Sequence, residues 1–339
     1  MKRKTILALL VGVGLLATGC GGGSGTTNSK SAGSGGVPEP EKTGRPEVGS
    51  RGTIGVSLLA LDNPFFKVIA DNIEETGRIN GYATTIVSAD KDVAKQSNQV
   101  KDFIVKKVAA IVLSPCESKA IVPVIQEANA AGIPVFTVDI PCNEPGVKIA
   151  TQIATDNYGG GKEAGQAMIE ALGESGGKIA ILHFPQAESC LLRVKGFKDS
   201  VAAHNEVTEG KIEIVAELES LGAKDAGFRA AEDAMQANPD LRGIFAINDP
   251  AALGARAALE KANREDQVVI VGFDGQPEGK QAIKEGRIYA DPIQFPDLMG
   301  QKVVEAIIAH SKGDELPAET LIPTKLYRQE DALKDPDLK

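Results

Sequence analysis

The chain has 339 residues, 42% of them hydrophobic, with 46 acidic against 37 basic side chains and a formal net charge of −9. That balance leaves no basic surface on which to hold nucleic acid. Three His and four Cys, scattered along the sequence, leave little from which to build a metal centre, and neither a metal nor another cofactor is expected.

At the N-terminus, Lys2, Arg3 and Lys4 form a basic start. Ile6 to Leu16 then form an apolar core of about 11 residues, too short for a comfortable membrane span. Ala17, Thr18 and Gly19 lead into Cys20, an order that predicts a secretory signal over 1–19. A cysteine directly after small residues resembles the bacterial lipobox, in which the thiol is acylated and becomes the new N-terminus. Ala17 stands where that motif usually has Leu, with Leu16 one step further out. The plainer alternative is a secretory signal with an incidental cysteine. Residues 20–51 are Gly, Ser, Thr, Pro and charged residues with almost nothing apolar. Such a stretch cannot offset its ordering entropy, which predicts a flexible tether.

From Gly52 onward short β-branched runs alternate with helical patterns. Strands are predicted at Ile54–Leu58, Thr84–Val87, Ala110–Leu113 and Pro134–Val138. The helices between them run over Phe65–Ile79, through Val100, Phe103 and Ile104, and over Ile121–Ala131, closed by Gly132. The pattern then restarts. Helices are predicted at Asn157–Leu172, Val194–His204, Ala226–Ala237 and Ala251–Lys261. They alternate with strands at Lys178–Leu182, Ile212–Glu217, Gly243–Ile247, Val268–Gly272 and Ile288–Ile293. Strand–helix alternation with short connections implies parallel sheets covered on both faces, and the restart implies two paired α/β domains.

Ligands of open parallel sheets sit beyond the carboxyl ends of the strands. Polar residues at those ends are Asn63, Asp139, Asn248, Asp249, Asp274 and Gln294. Each is also a helix-capping residue type or near one, so capping is the competing reading for any one of them. Carboxylates, amides and a guanidinium are what neutral polyols need, as acceptors for vicinal hydroxyls and as a rigid donor fork.

At these residues the chain resembles the ribose-binding-like branch of the periplasmic binding proteins. The resemblance runs from about Thr53 to Thr324. It is carried by Asn63-Pro64-Phe65-Phe66, by Ile133-Pro134-Val135 running to Asp139, and by Thr155-Asp156-Asn157 with Gly159-Gly160. Arg193 ahead of Gly196-Phe197, Asn248-Asp249, Val271-Gly272-Phe273-Asp274-Gly275, and Gln294 before Pro296 complete the series. The resemblance implies two lobes, 52–155 with 295–323 and 156–294 with 324–339, joined by three crossovers around a trapped ligand. It implies sugar contacts from Asn63, Asp139, Arg193, Asn248, Asp274 and Gln294, with Phe65 and Phe66 covering the C–H faces of the ring. Core packing is the alternative for the two Phe. Two positions depart from the ribose pattern: Ile140 stands where that branch has Arg, and Gly222 aligns where it has a second aromatic wall. Ile140 is therefore a candidate specificity position. Glu188 and Cys190 lie near Arg193, either reshaping the pocket or forming an ordinary loop. Arg193 and Asp274, facing the cleft, are expected to tolerate alanine without unfolding.

Cys116 and Cys142 follow adjacent strands, and in an exported protein a bridge between them or two free thiols are both open; either can instead pair with Cys190. The leading functional expectation is a monomeric substrate receptor, anchored to a membrane by lipid alone, that delivers a sugar to an ATP-driven importer through its membrane permease. Three alternatives share parts of the pattern. One is a sensor presenting its closed form to a membrane receptor, for a ligand such as a furanosyl signal. Another is a glycoside hydrolase using Asp139 and Asp274. The last is a sugar-responsive repressor, which requires a helix-turn-helix where this chain has a signal and a tether.

Overall fold

The computed structural model describes residues 46–338. The signal, Cys20 and all but the last residues of the expected tether lie outside the described residues. The first lobe begins with β1 (Thr53–Leu58), α1 (Pro64–Ile79), β2 (Ala83–Ser88), α2 (Val93–Val105) and β3 (Ala110–Leu113). It continues with α3 (Val122–Ala130), β4 (Val135–Val138) and β5 (Gln152–Thr155). The second lobe contains α4 (Asn157–Leu172), β6 (Gly177–His183), α5 (Glu188–Val207), β7 (Ile212–Glu219) and α6 (Lys224–Ala237). It runs on through β8 (Leu241–Ala246), α7 (Asp249–Lys261), β9 (Val269–Val271), α8 (Pro277–Lys284) and β10 (Ala290–Ile293). The chain closes with α9 (Pro296–Ser311), β11 (Glu319–Ile322), β12 (Lys325–Arg328) and α10 (Gln329–Ala332).

Two six-stranded sheets result, ordered β11-β5-β4-β3-β1-β2 and β12-β10-β9-β8-β6-β7. The first is parallel throughout, and the second is parallel except for β12, which runs antiparallel to β10. The chain passes between sheets three times: after β5, after β10 and after β11. α9 packs on α1 of the first lobe, whereas α4 packs on α5 and beneath β8, β9 and β10.

Local chemistry explains where the elements start. Asn63 caps α1, its side chain accepting from the Phe65 amide, and Pro64 occupies the first turn, where no amide hydrogen is needed. Phe65, Phe66, Ile69, Ala70 and Ile73 then bury one face. Alternation along β3 splits the first lobe's core: Ala110 and Val112 face one apolar cluster, Ile111 and Leu113 another on the opposite face. The first of these clusters continues into the second lobe through Met168, Ile181, Phe197, Phe245 and Phe273.

The cysteines in the loops after β3 and β4 lie on opposite faces of the first sheet. Cys116 is buried in the cluster on one face of the first sheet and Cys142 in the cluster on the other. Both are free thiols, as is Cys190, so the bridge held open from the sequence is not formed. Cys142 instead donates to the Ser118 carbonyl at 3.2 Å. The side-chain oxygens of Gln96 and Gln152 hold the backbone amides of Cys116 and Cys142, at 2.8 and 2.7 Å. Strands leaving a sheet on one edge need not aim their next thiols to one side.

Glycines set the spacing between α4 and α5. A Cβ on Gly161 would collide with the Arg193 carbonyl oxygen, and one on Gly196 with that of Tyr158. Both obstacles are backbone, so the helices would have to separate. Gly161→Ala is expected to destabilise the fold by about 1–3 kcal/mol, read as a lower denaturant midpoint at constant m-value. An unchanged midpoint would mean that the helices are not close-packed at this glycine.

Among the described residues, no helix is long and apolar enough to cross a membrane, and no three His, Cys, Asp or Glu are grouped to hold a metal ion.

Candidate functional site

The carboxyl ends of strands from both sheets border one cleft of ≈ 510 Å³, counting its open mouth. All nine candidates line it: Asn63, Phe65 and Phe66 at the start of α1, Asp139 and Ile140 after β4, and Arg193 on α5. Asn248 before α7, Asp274 after β9 and Gln294 after β10 complete the wall.

Arg193 is the most constrained of them. It is buried, with Nε donating to Asn157 Oδ1 at 2.7 Å and Nη1 to both the Ile247 carbonyl at 2.6 Å and Asp274 Oδ1 at 2.9 Å. Its guanidinium stacks over the Phe273 ring, with Cζ 3.9 Å from the centroid. A Cβ on Gly160 would meet that same ring, so the glycine series opening α4 makes room for the support beneath Arg193.

Asp274 is equally enclosed. Gln294 Nε2 donates to its Oδ1 at 2.6 Å and Gln276 Nε2 to its Oδ2 at 3.3 Å. Burial pushes its carboxyl up, against the pull of Arg193 and of these hydrogen bonds. Gln294 also accepts from the Thr155 hydroxyl at 2.6 Å, tying the end of β5 to the loop after β9. The two Asn serve as caps and as cleft lining at once: Asn248 Oδ1 accepts from the Ala251 amide, while its Nδ2 donates to the Gly222 carbonyl, each at 3.0 Å. Phe65 and Phe66 likewise do both jobs. Each is buried in the core and lines the cleft, the rings meeting edge to face at 5.4 Å.

Asp139 differs from Asp274 in having an unused acceptor. It is 4% exposed, yet its Oδ1 has no hydrogen-bond partner. Its φ of +66° lies in the left-handed region, and Ile140 N donates back to the Val138 carbonyl at 2.8 Å, closing a strained three-residue turn. Burial pushes the Asp139 carboxyl up to about 7, with Arg193 pulling it down and Asp274 pushing it further up. Asp274 is also held at positive φ, +103°. Strain of this kind persists where the surroundings over-determine it.

Asp249 is not a cleft residue. Its Oδ2 accepts from the Gln276 amide at 2.6 Å, bracing the turn that carries Asp274. Behind it lies Asp291, fully buried in β10. Burial first, then the charge of Asp291, push Asp249 well above the usual carboxylate range, while Asp291 rises only to about 6. The two carboxyls form an internal acid pair, away from the residues that line the cleft.

Several lining residues escaped the sequence reading. Phe184 follows β6, Leu221 follows β7, and Lys91 follows β2. Gly222 brings no aromatic ring, and Phe184 lines the cleft from a different strand end. Cys190 lines the cleft too, its thiol pushed up to about 11 by burial, while Glu188 stands outside the lining as the first residue of α5. The expected start of that helix at Val194 was late by six residues, because Glu188-Ser189-Cys190 carries no capping signal of its own.

Two parallel-sheet lobes, three crossings and a cleft between facing strand ends define a two-lobed solute-binding protein. The comparisons agree: residues 54–315 match the family model for the periplasmic binding protein domain, and the chain belongs to that family of binding proteins, which are not enzymes. The ribose import binding protein of Bacillus subtilis is 32% identical over 278 residues, 82% of this chain and 87% of the relative. The D-apiose import binding protein of Paraburkholderia graminis is 33% identical over 283 residues, 83% and 88% of the two chains. Among solved structures, an ABC transporter solute binding protein of Mycobacterium smegmatis with bound glycerol is 29% identical with a TM-score of 0.77, covering 84% of this chain and 96% of that one. A periplasmic solute binding protein of Actinobacillus succinogenes with bound D-allose is 26% identical with a TM-score of 0.76, covering 84% and 100%.

Proposed function

We propose that this chain is the solute-binding component of an ATP-driven importer, closing on one monosaccharide or related polyol and presenting it to a membrane permease. The observation that carries the reading is the buried, unpartnered Asp139 carboxylate facing the same cleft as Arg193, Asp274 and the Phe65–Phe66 pair. A hydroxyl donor satisfies the first, a ring face suits the last, and neither needs a charged ligand. The ligands of the relatives and of the solved neighbours, ribose, apiose, allose and glycerol, are all of that chemistry.

In this reading the jaws are residues 52–155 with 295–323 and 156–294 with 324–339, and the nine lining candidates are the ligand contacts. Ile140, in place of a guanidinium, selects among sugars more than it sets affinity. The protein acts as a monomer, exported and held to the membrane through acylated Cys20 and the tether. A thermal-shift screen of pentoses, hexoses and polyols tests the site: a ligand at 100 times its Kd stabilises by about 2.7 kcal/mol. A screen in which no polyhydroxylated ligand shifts the melt overturns it. Fatty-acid labelling tests the anchor, which fails if Cys20→Ala is labelled like the parent.

A further inference from the structure

Helix α5 carries Arg193 and forms much of one cleft wall, yet it starts without a cap of its own. Ala187 holds the N-cap position, and no side chain from within α5 accepts from its first amides. Free amides at a helix start are among the groups a fold must satisfy. The partner comes from the other lobe. Ser118, in the loop after β3, is buried, and its hydroxyl accepts from the Glu188 amide at 3.2 Å. The same hydroxyl donates to the Pro141 carbonyl at 2.9 Å, and the Ser118 amide donates to the Gln186 carbonyl at 3.3 Å.

One hydroxyl therefore joins Pro141, next to Ile140, to Glu188, two residues before Cys190. Its single hydrogen and a lone pair are both used. Opening of the lobes breaks the two bonds that cross between them and leaves the first turn of α5 uncapped, while the bond to Pro141 stays within the first lobe.

We propose that Ser118 is the closing latch of the clamp, a positioning residue that caps α5 in trans, so that the wall bearing Ser189, Cys190 and Arg193 is completed only when the lobes meet. The inference rests on the sugar-clamp reading. It gives the closed state an interaction that the open state lacks, which is what a ligand-driven closure requires. Losing an N-cap partner corresponds to a twofold to thirtyfold change in an equilibrium constant.

The test uses the tightest binder among D-ribose, D-apiose and D-allose. Ser118→Ala is expected to weaken it by about twofold to thirtyfold, mainly through faster release, with the ligand-free melting temperature nearly unchanged. Ser118→Thr, which keeps the hydroxyl, restores most of the loss. Ligand protects the 186–193 amides from hydrogen exchange in the parent, and this protection shrinks in Ser118→Ala. A Ser118→Ala protein that binds and protects like the parent overturns the latch alone. A Ser118→Ala protein whose ligand-free melt falls as much as its affinity also overturns it, since the serine then serves only its own lobe. A parent that binds none of these sugars overturns the clamp reading and the latch with it.

Discussion

Arg193→Ala is expected to cost both binding and folding. Among the described residues the guanidinium is the only cation paired with buried Asp274, and it also satisfies the Ile247 carbonyl and Asn157 Oδ1. Removing one member of a buried ion pair leaves the other uncompensated, at about 3–5 kcal/mol. The ligand-free protein should unfold at clearly lower denaturant, by that amount. On ligand affinity, a lost charged donor costs about 2–4 kcal/mol, roughly 30-fold to 1,000-fold. Lysine should not rescue either property, because a single ammonium lacks the second nitrogen that reaches Asn157 while the first serves Ile247 and Asp274, and it cannot stack on Phe273 as a plane. The sequence led to the expectation that this residue merely faces the cleft and tolerates alanine. Its hydrogen-bond set shows that it is equally part of the second lobe's frame. Parent-like stability in Arg193→Ala would contradict the geometry.

Asp139 should behave in the opposite way. Asp139→Asn replaces one of the two acceptor oxygens with an NH2 donor and removes the charge a bound hydroxyl would meet, so affinity is expected to fall about 30-fold to 1,000-fold. Ligand-free stability at pH 8, by contrast, should rise. In the fold this carboxyl keeps its proton up to about pH 7, against 3.8 in the unfolded chain. A folded pKa raised above the unfolded one contributes stability that is fully present below about pH 4 and is lost as pH rises through about 7. The difference amounts to about 4 kcal/mol as an upper bound, at about 1.4 kcal/mol for each pH unit. Denaturant melts of the parent and Asp139→Asn from pH 4 to 8 should therefore converge at the acid end and separate, with Asn the more stable, at the alkaline end. Parallel curves would show that Asp139 is not the strained acid described above. Its low stability and high value for binding are what a preorganised site exchanges for function.

Much of this was legible in the sequence, for identifiable reasons. Strand ends can be read from β-branched runs, and a parallel sheet puts its ligand there; that rule selects Asn63, Asp139, Asn248, Asp274 and Gln294, which line the cleft, and also Asp249, which does not. β5 was not legible, because Gln152-Ile153-Ala154-Thr155 has one strongly apolar residue and gains its burial from β4 and β11 on either side. α8 was missed because it is eight residues long and buries only Gly279, Ala282 and Ile283. Phe184 could have been found as an aromatic one residue beyond β6; the alignment with a different family position drew attention to Gly222 instead. The true start of α5 had no local signal at all, since its cap comes from Ser118, 70 residues away in the other lobe. The cysteine pairing was left open for a different reason: adjacency of strands is a property of the sheet, whereas the side to which a thiol points depends on loop residues that no periodicity governs.

Capture of a neutral polyhydroxylated ligand in the cleft, and its release unchanged, can be measured by calorimetric titration of D-ribose, D-apiose, D-allose and glycerol into the purified protein, with chemical recovery of the ligand afterwards. The account predicts saturable binding of one molecule per chain for at least one of them, a negative heat-capacity change from burying the ring face, and intact ligand in the recovered pool. Absence of saturable binding across the set, or recovery of a chemically altered sugar, would contradict it.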